Sequence, residues 1–125
     1  MIPPQLALDV EVLRQCGYAI DVTEEGTRHY VIIKSFQMNS AYSPTTTDLM
    51  MMADYQYPQS RMDMYWTDPE VRCGTGAPPM NADQFEIHLG RRWQRWSWHY
   101  PLWQPGKHNL ITHLEVFLDR LARGC

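Results

Sequence analysis

Within Gly90–Pro105, GRRWQRWSWHYPLWQP, a hydroxyl and an imidazole stand two residues apart, Ser97 and His99. Around them are Trp93, Trp96, Trp98 and Trp103 and the guanidinium groups of Arg91, Arg92 and Arg95. A serine hydroxyl becomes a useful nucleophile only when a base takes its proton, and histidine is the usual base near neutral pH. In an extended segment residues i and i+2 project to the same side, so Ser97 and His99 are expected together, with Arg95 or backbone amides holding a developing oxyanion. The indoles can stack on arginine and wall off a reactive group. Trp93, Trp96, Trp98, Arg91 and Arg92 are expected to form a partner-binding surface, in which Trp96 is the indole expected to be buried and Trp98 an exposed contact. The plainer alternative is that Ser97 satisfies a backbone group and His99 is a hydrogen-bonded pillar of the loop.

Other residues capable of chemistry are scattered. The three cysteines, Cys16, Cys73 and Cys125, are an odd count with no close pair, which argues against a disulfide framework and a thiolate metal site. Cys73, in a Gly/Pro loop, is the alternative nucleophile; Cys16 reads as structural and Cys125 as a mobile end. Of five histidines only His108 and His113 share a predicted helix, and a spacing of five suits one metal ion poorly, so no metal and no cofactor are expected. Asp63 and Asp68 flank a predicted strand and read as turn and capping carboxylates in preference to a lysine-activating role.

The elements that must carry these groups follow from periodicity. Leu6, Val10 and Leu13 behind Pro3 and Pro4, with Gly17 beyond, predict a helix over 4–16. Tyr18, Ile20 and Val22 alternate with polar residues, RHYVIIKSF and DLMMMA are strand-like, and MDMYWTDP offers a fourth strand ended by Pro69. Residues 39–47 and 70–84 read as loops, and Phe85, Ile87 and Leu89 allow a short extra strand. The segment 90–105 shows no clear period. Leu110, Ile111, Leu114, Phe117, Leu118 and Leu121 predict an amphipathic helix over about 107–122. The result is one α+β domain, residues 1–125: N-terminal helix, four-stranded antiparallel meander, long irregular active-site segment, C-terminal helix packed on the sheet.

A net charge of −3 weakens a nucleic-acid reading of RRWQRW, and no apolar run approaches the roughly 18 residues of a membrane span, so neither partner is expected. The N-terminal MIPPQLALDVEV does not read as a secretion signal, and a cytoplasmic location is the expectation.

Tyr57-Pro58 between the third and fourth predicted strands, and Trp103-Gln104-Pro105 ahead of the last helix, stand in an order that resembles the ubiquitin-conjugating enzyme (UBC) superfamily. More narrowly, YPQSRMDMYWTDP and GRRWQRWSWHYPLWQPGKHNLITHL look like the bacterial ubiquitin-conjugating-like proteins grouped as prokaryotic family E. The resemblance spans nearly the whole chain. It implies a ubiquitin-like protein and its activating enzyme as partners, together with a deubiquitinase-like peptidase of the same operon, in bacterial operons connected with phage defence. The superfamily carries an acceptor cysteine shortly before Trp-x-Pro, behind a His-Pro-Asn motif. This chain has neither between Gly90 and Pro105, nor His-Pro-Asn anywhere. Two readings follow: Ser97 receives the ubiquitin-like C-terminus as an oxyester, with His99 as base, and passes it to an amine; or the chain is a catalytically silent UBC-like module that binds a ubiquitin-like protein or its activating enzyme.

Overall fold

The computed structural model describes residues 1–99 and 102–125. Helix α1 covers Pro4–Gln15, with proline in its first turn, where a missing N–H costs nothing, and Leu6, Val10 and Leu13 buried on one stripe. Strands β1 (Ala19–Glu25) and β2 (Arg28–Gln37) form a hairpin closed by Glu25 opposite Arg28. Next come β3 (Tyr42–Ser43), β4 (Thr46–Asp54), β5 (Tyr65–Thr67), β6 (Arg72–Cys73), β7 (Gln84–His88) and β8 (Arg91–Trp96), and the chain closes with α2 (Leu110–Ala122). The main sheet is antiparallel in the order β1-β2-β4-β5-β8-β7, and β3 pairs with β6 in a separate two-stranded ladder.

The α+β architecture and the four-strand run β1-β2-β4-β5 are present as expected, but the sheet does not stop there. The first part of the segment expected to be irregular is β8, paired with β5 on one side and β7 on the other. Its pattern is concealed because Trp93 and Trp96 are three apart and therefore face opposite sides of the sheet, so no polar and apolar alternation appears. The β7–β8 turn uses Leu89 at φ 54° and Gly90 at φ 75°, the two left-handed residues that a two-residue hairpin loop requires. The ladder β3–β6 falls in stretches expected to be loops, being too short to carry a period. Helix α2 begins at Leu110, later than expected, because Asn109 caps it: the Asn109 side chain accepts from the Thr112 amide, and the Thr112 hydroxyl accepts from the Asn109 amide.

Both helices lie on one face of the sheet. Leu6, Val10 and Leu13 of α1 and Leu110, Leu114, Phe117 and Leu121 of α2 pack with Val31, Ile33, Leu49, Met51, Tyr65 and Trp96. The other face carries a second cluster of Tyr30, Ile32, Met50, Trp66 and Trp93. The Tyr57-Pro58 turn ties the helices together: the Tyr57 hydroxyl donates to Asp9 of α1 and accepts from the Leu110 amide of α2 at 2.7 Å. The indole of Trp103 donates to the Pro58 carbonyl at 2.9 Å, so the two motifs meet in space. No helix is long and apolar enough to cross a membrane, among the described residues.

Candidate functional site

Ser97 stands one residue beyond β8, at the apex of a tight turn in which the Trp98 amide bonds the Trp96 carbonyl at 2.9 Å. The turn sends both flanking indoles into the helix-side core. Trp96 and Trp98 meet edge to face at 5.0 Å between ring centroids, and Phe117 lies against both. The Trp96 N–H is satisfied by Thr67 Oγ1 at 2.8 Å and that of Trp98 by the Met80 carbonyl at 3.1 Å. Behind the turn the Ser97 amide bonds the Asn81 carbonyl at 2.9 Å, so the loop before β7 holds the serine in place.

The half-buried Ser97 side chain accepts a hydrogen bond from Arg95 Nε at 3.2 Å. Arg95 is itself held by Glu86, whose Oε2 accepts from the guanidinium at 2.8 Å, while Oε1 accepts from the Trp66 indole and lies 2.8 Å from His88 Nε2. Partial burial works against the charge on Glu86, and the bonds from His88, Trp66 and Arg95 outweigh it, leaving its carboxyl below the usual range. A guanidinium fixed in this way can stabilise negative charge on the Ser97 oxygen.

His99 is placed differently. Its Nδ1 lies 2.9 Å and 3.0 Å from the two carboxylate oxygens of Asp63, and Arg61 approaches the same carboxylate at 3.7 Å. No hydrogen bond joins Ser97 to His99 among the described residues. The turn at Ser97 is the reason: it replaces the straight extended backbone that would have aligned residues i and i+2. Asp63, read from sequence as a turn carboxylate, is the partner of His99, whereas Asp68 accepts from the Asp48 amide and pairs with Arg91.

Several expectations need correction. Trp96 is completely buried as expected, but so is Trp93, and Trp98 is no exposed contact, being 7% accessible, so none of the three indoles is free for a partner. Arg91 lies over the Trp93 ring at 4.0 Å and is bound to Asp48 and Asp68; Arg92 is exposed and stacks on Phe85 at 4.1 Å. Cys73 is not a free thiol. It is disulfide-bonded to Cys125, with 5.6 Å between Cα atoms, because β3–β6 sets it beside Tyr42 and the C-terminus returns there, with Asn39 Nδ2 on the Leu121 carbonyl and the Tyr42 hydroxyl on that of Gly124. Cys125 is therefore anchored, and Cys16, at the end of α1, is exposed and unbonded.

The sequence offered no pointer to Asn81, whose contribution is a backbone carbonyl, and the alternation of FEIHL suggested a strand without showing that Glu86 stands opposite Trp93, on the face of Arg95. Trp103 and Pro105 follow the site; Trp103 is half-buried and bonded to Pro58 as described, and Tyr100 and Pro101, which precede it, lie outside the described residues. Among the described residues no three His, Cys, Asp or Glu side chains gather as metal ligands.

The family model described as Prokaryotic E2 family E matches residues 5–124. No curated protein and no solved structure matches the chain.

Proposed function

Because this chain belongs to prokaryotic E2 family E, we propose that it acts in bacterial ubiquitin-like conjugation, engaging a ubiquitin-like protein and its activating enzyme and carrying the activated C-terminus as an oxyester on Ser97. The observation that carries the reading is the Arg95 guanidinium on the Ser97 oxygen, at the turn between β8 and Trp103-Gln104-Pro105. In acyl transfer to Ser97 the hydroxyl oxygen attacks the activated carbonyl, the activating group leaves, and the hydroxyl proton passes to a base. Arg95, anchored by Glu86, lowers the cost of negative charge on that oxygen. In the second step an amine replaces Ser97, forming an amide and returning the hydroxyl. Cys73 is no competing acceptor while its sulfur is bonded to Cys125.

One observation favours the silent-module reading: His99 is bonded to Asp63, and among the described residues no imidazole is bonded to the Ser97 hydroxyl to take its proton. Incubation with the activating enzyme, ubiquitin-like protein and ATP separates the two. An adduct that survives reductant, is cleaved by hydroxylamine and is lost in Ser97→Ala is the expected result. A Ser97→Ala protein that still forms the adduct refutes the assignment of Ser97, and binding without any adduct establishes the silent module. A role in phage defence and a peptidase partner from the same operon belong to the same proposal, as does a cytoplasmic site of action.

A further inference from the structure

The Asp63–His99 pair lies at the surface beside the proposed acceptor. His99 is 55% exposed, both of its short contacts are to one carboxylate, and among the described residues nothing bonds its Nε2. Asp63 is 22% exposed and lies just before β5, on a segment pinned to the site by the Met64 amide on the Trp98 carbonyl at 3.2 Å. A carboxylate on Nδ1 selects the tautomer with its proton there and turns the lone pair of Nε2 outward. A single residue, Trp98, separates His99 from Ser97, which keeps their Cα atoms within about 7 Å, close enough for both to reach one bound substrate. Ser97 and His99 are therefore adjacent but not bonded, an arrangement suited to two different steps.

We infer that His99 serves the second step of the proposed reaction, taking the proton of the incoming amine at Nε2, and that Asp63 is the positioning residue that holds it in that tautomer. This rests on the acyl-carrier reading of Ser97. As the amine nitrogen bonds to the ester carbonyl carbon, its proton passes to Nε2 and Asp63 stabilises the imidazolium. The bond from carbon to the Ser97 oxygen then breaks, and the proton returns from Nε2 to that oxygen, regenerating the hydroxyl beside a new amide. Nothing is oxidised or reduced.

The test has two arms on the full chain. Long-range proton–nitrogen correlation spectra of labelled protein should show His99 protonated at Nδ1 at alkaline pH, and Asp63→Asn should move it to the Nε2–H form. Separately, the wild-type adduct is isolated and discharged with free lysine. His99→Gln and Asp63→Asn should each slow discharge by about 10²-fold, the double variant should be no slower than His99→Gln alone, and Asp63→Glu should recover part of the rate. Melting curves check that each variant folds; should Asp63→Asn not fold, Asp63→Glu and His99→Gln carry the test. An Nε2–H His99 in the wild type, discharge indifferent to Asp63, or effects that multiply in the double variant would each overturn the inference while leaving Ser97 as the acceptor. If the wild type forms no adduct, the acyl-carrier reading fails and this inference with it, whatever the tautomer.

Discussion

Trp93 and Trp96 lie three residues apart on one strand, both completely buried, and opposite kinds of neighbour bury them. Trp96 faces the helices and is enclosed by Tyr42, Trp98 and Phe117, with one polar partner, Thr67. Trp93 faces away from the helices, in the cluster with Tyr30, Ile32, Met50 and Trp66, and charged side chains complete the cover. The Arg91 guanidinium lies over the Trp93 ring, and His88 lies against the rings of Tyr30 and Trp66. Asp48 joins Lys34 to Arg91, and Glu86 joins His88 to Arg95. Long charged side chains can cover apolar area with their stems while their heads stay hydrated. The same strand thus belongs to two cores, one closed by packing and the other by ion pairs, and the proposed acceptor hangs from its end with Arg95 of the ion-paired layer as its neighbour.

The difference is broken most directly at Trp96. Trp96→Ala removes the largest side chain at the junction of sheet and α2, and a cost of about 3–5 kcal/mol is expected from lost burial and the cavity left behind. Urea unfolding measures it, and the cost should not change with added salt. A loss below about 1 kcal/mol would mean that α2 collapses onto the vacated space, and that the helix-side core is far more compliant than its packing indicates.

Acid should strike the helix-side core first. His113 of α2 stacks on Tyr65 at 4.2 Å, and its Nε2 donates to the Met64 carbonyl at 3.0 Å. Burial pushes the imidazole down to about 4 from 6.5, against the opposing pull of that carbonyl and of Asp63. Its folded value is the depressed one, so its contribution is complete above the unfolded value of 6.5 and drains away as pH falls from there to about 4. On the order of 3 kcal/mol should be lost across this window, at about 1.4 kcal/mol per unit. His113→Gln should flatten the slope, and unchanged stability of the wild type between these limits would contradict a neutral buried imidazole.

The two cores were not equally legible in the sequence. Leu6, Val10 and Leu13 and the Leu110–Leu121 stripe announced the helix side, because a helix buried on one face leaves a 3.6-residue period. The ion-paired side was hidden. Trp93 is covered by Arg91 from its own strand, so RRWQRW showed no clear period, although it is a strand with side chains buried on both faces. The candidate site divides in the same way. Ser97, His99 and Arg95 stood out by their types, as did the Tyr57-Pro58 and Trp103-Gln104-Pro105 turns. The pairings did not: Asp63 is 36 residues from His99 and Cys73 is 52 residues from Cys125, and contacts at such separations depend on how β5 is laid beside β8 and where the C-terminus returns.

The smallest effect is expected where the cover is ionic. Arg91 is 40% exposed, so its attraction for Asp48 and Asp68 is partly screened, and Arg91→Ala should cost only about 1 kcal/mol at low salt, from the ring contact and the ion pairs together. Unlike the loss at Trp96, this one should shrink as salt is added. It should also have its own acid window. Burial opposes the charge on Asp48, but the bonds from Lys34, Arg91 and the Ser35 amide hold its carboxyl below the ordinary value of 3.8. A depressed folded value means stability that is present above 3.8 and disappears as pH falls below it, after the His113 window has closed. Stability curves of wild type and Arg91→Ala, taken against salt and against pH, should therefore converge at high salt and at the acid end. If Arg91→Ala instead costs as much as Trp96→Ala and ignores both variables, the guanidinium is acting as packed volume, and the two faces of β8 are closed by the same physics after all.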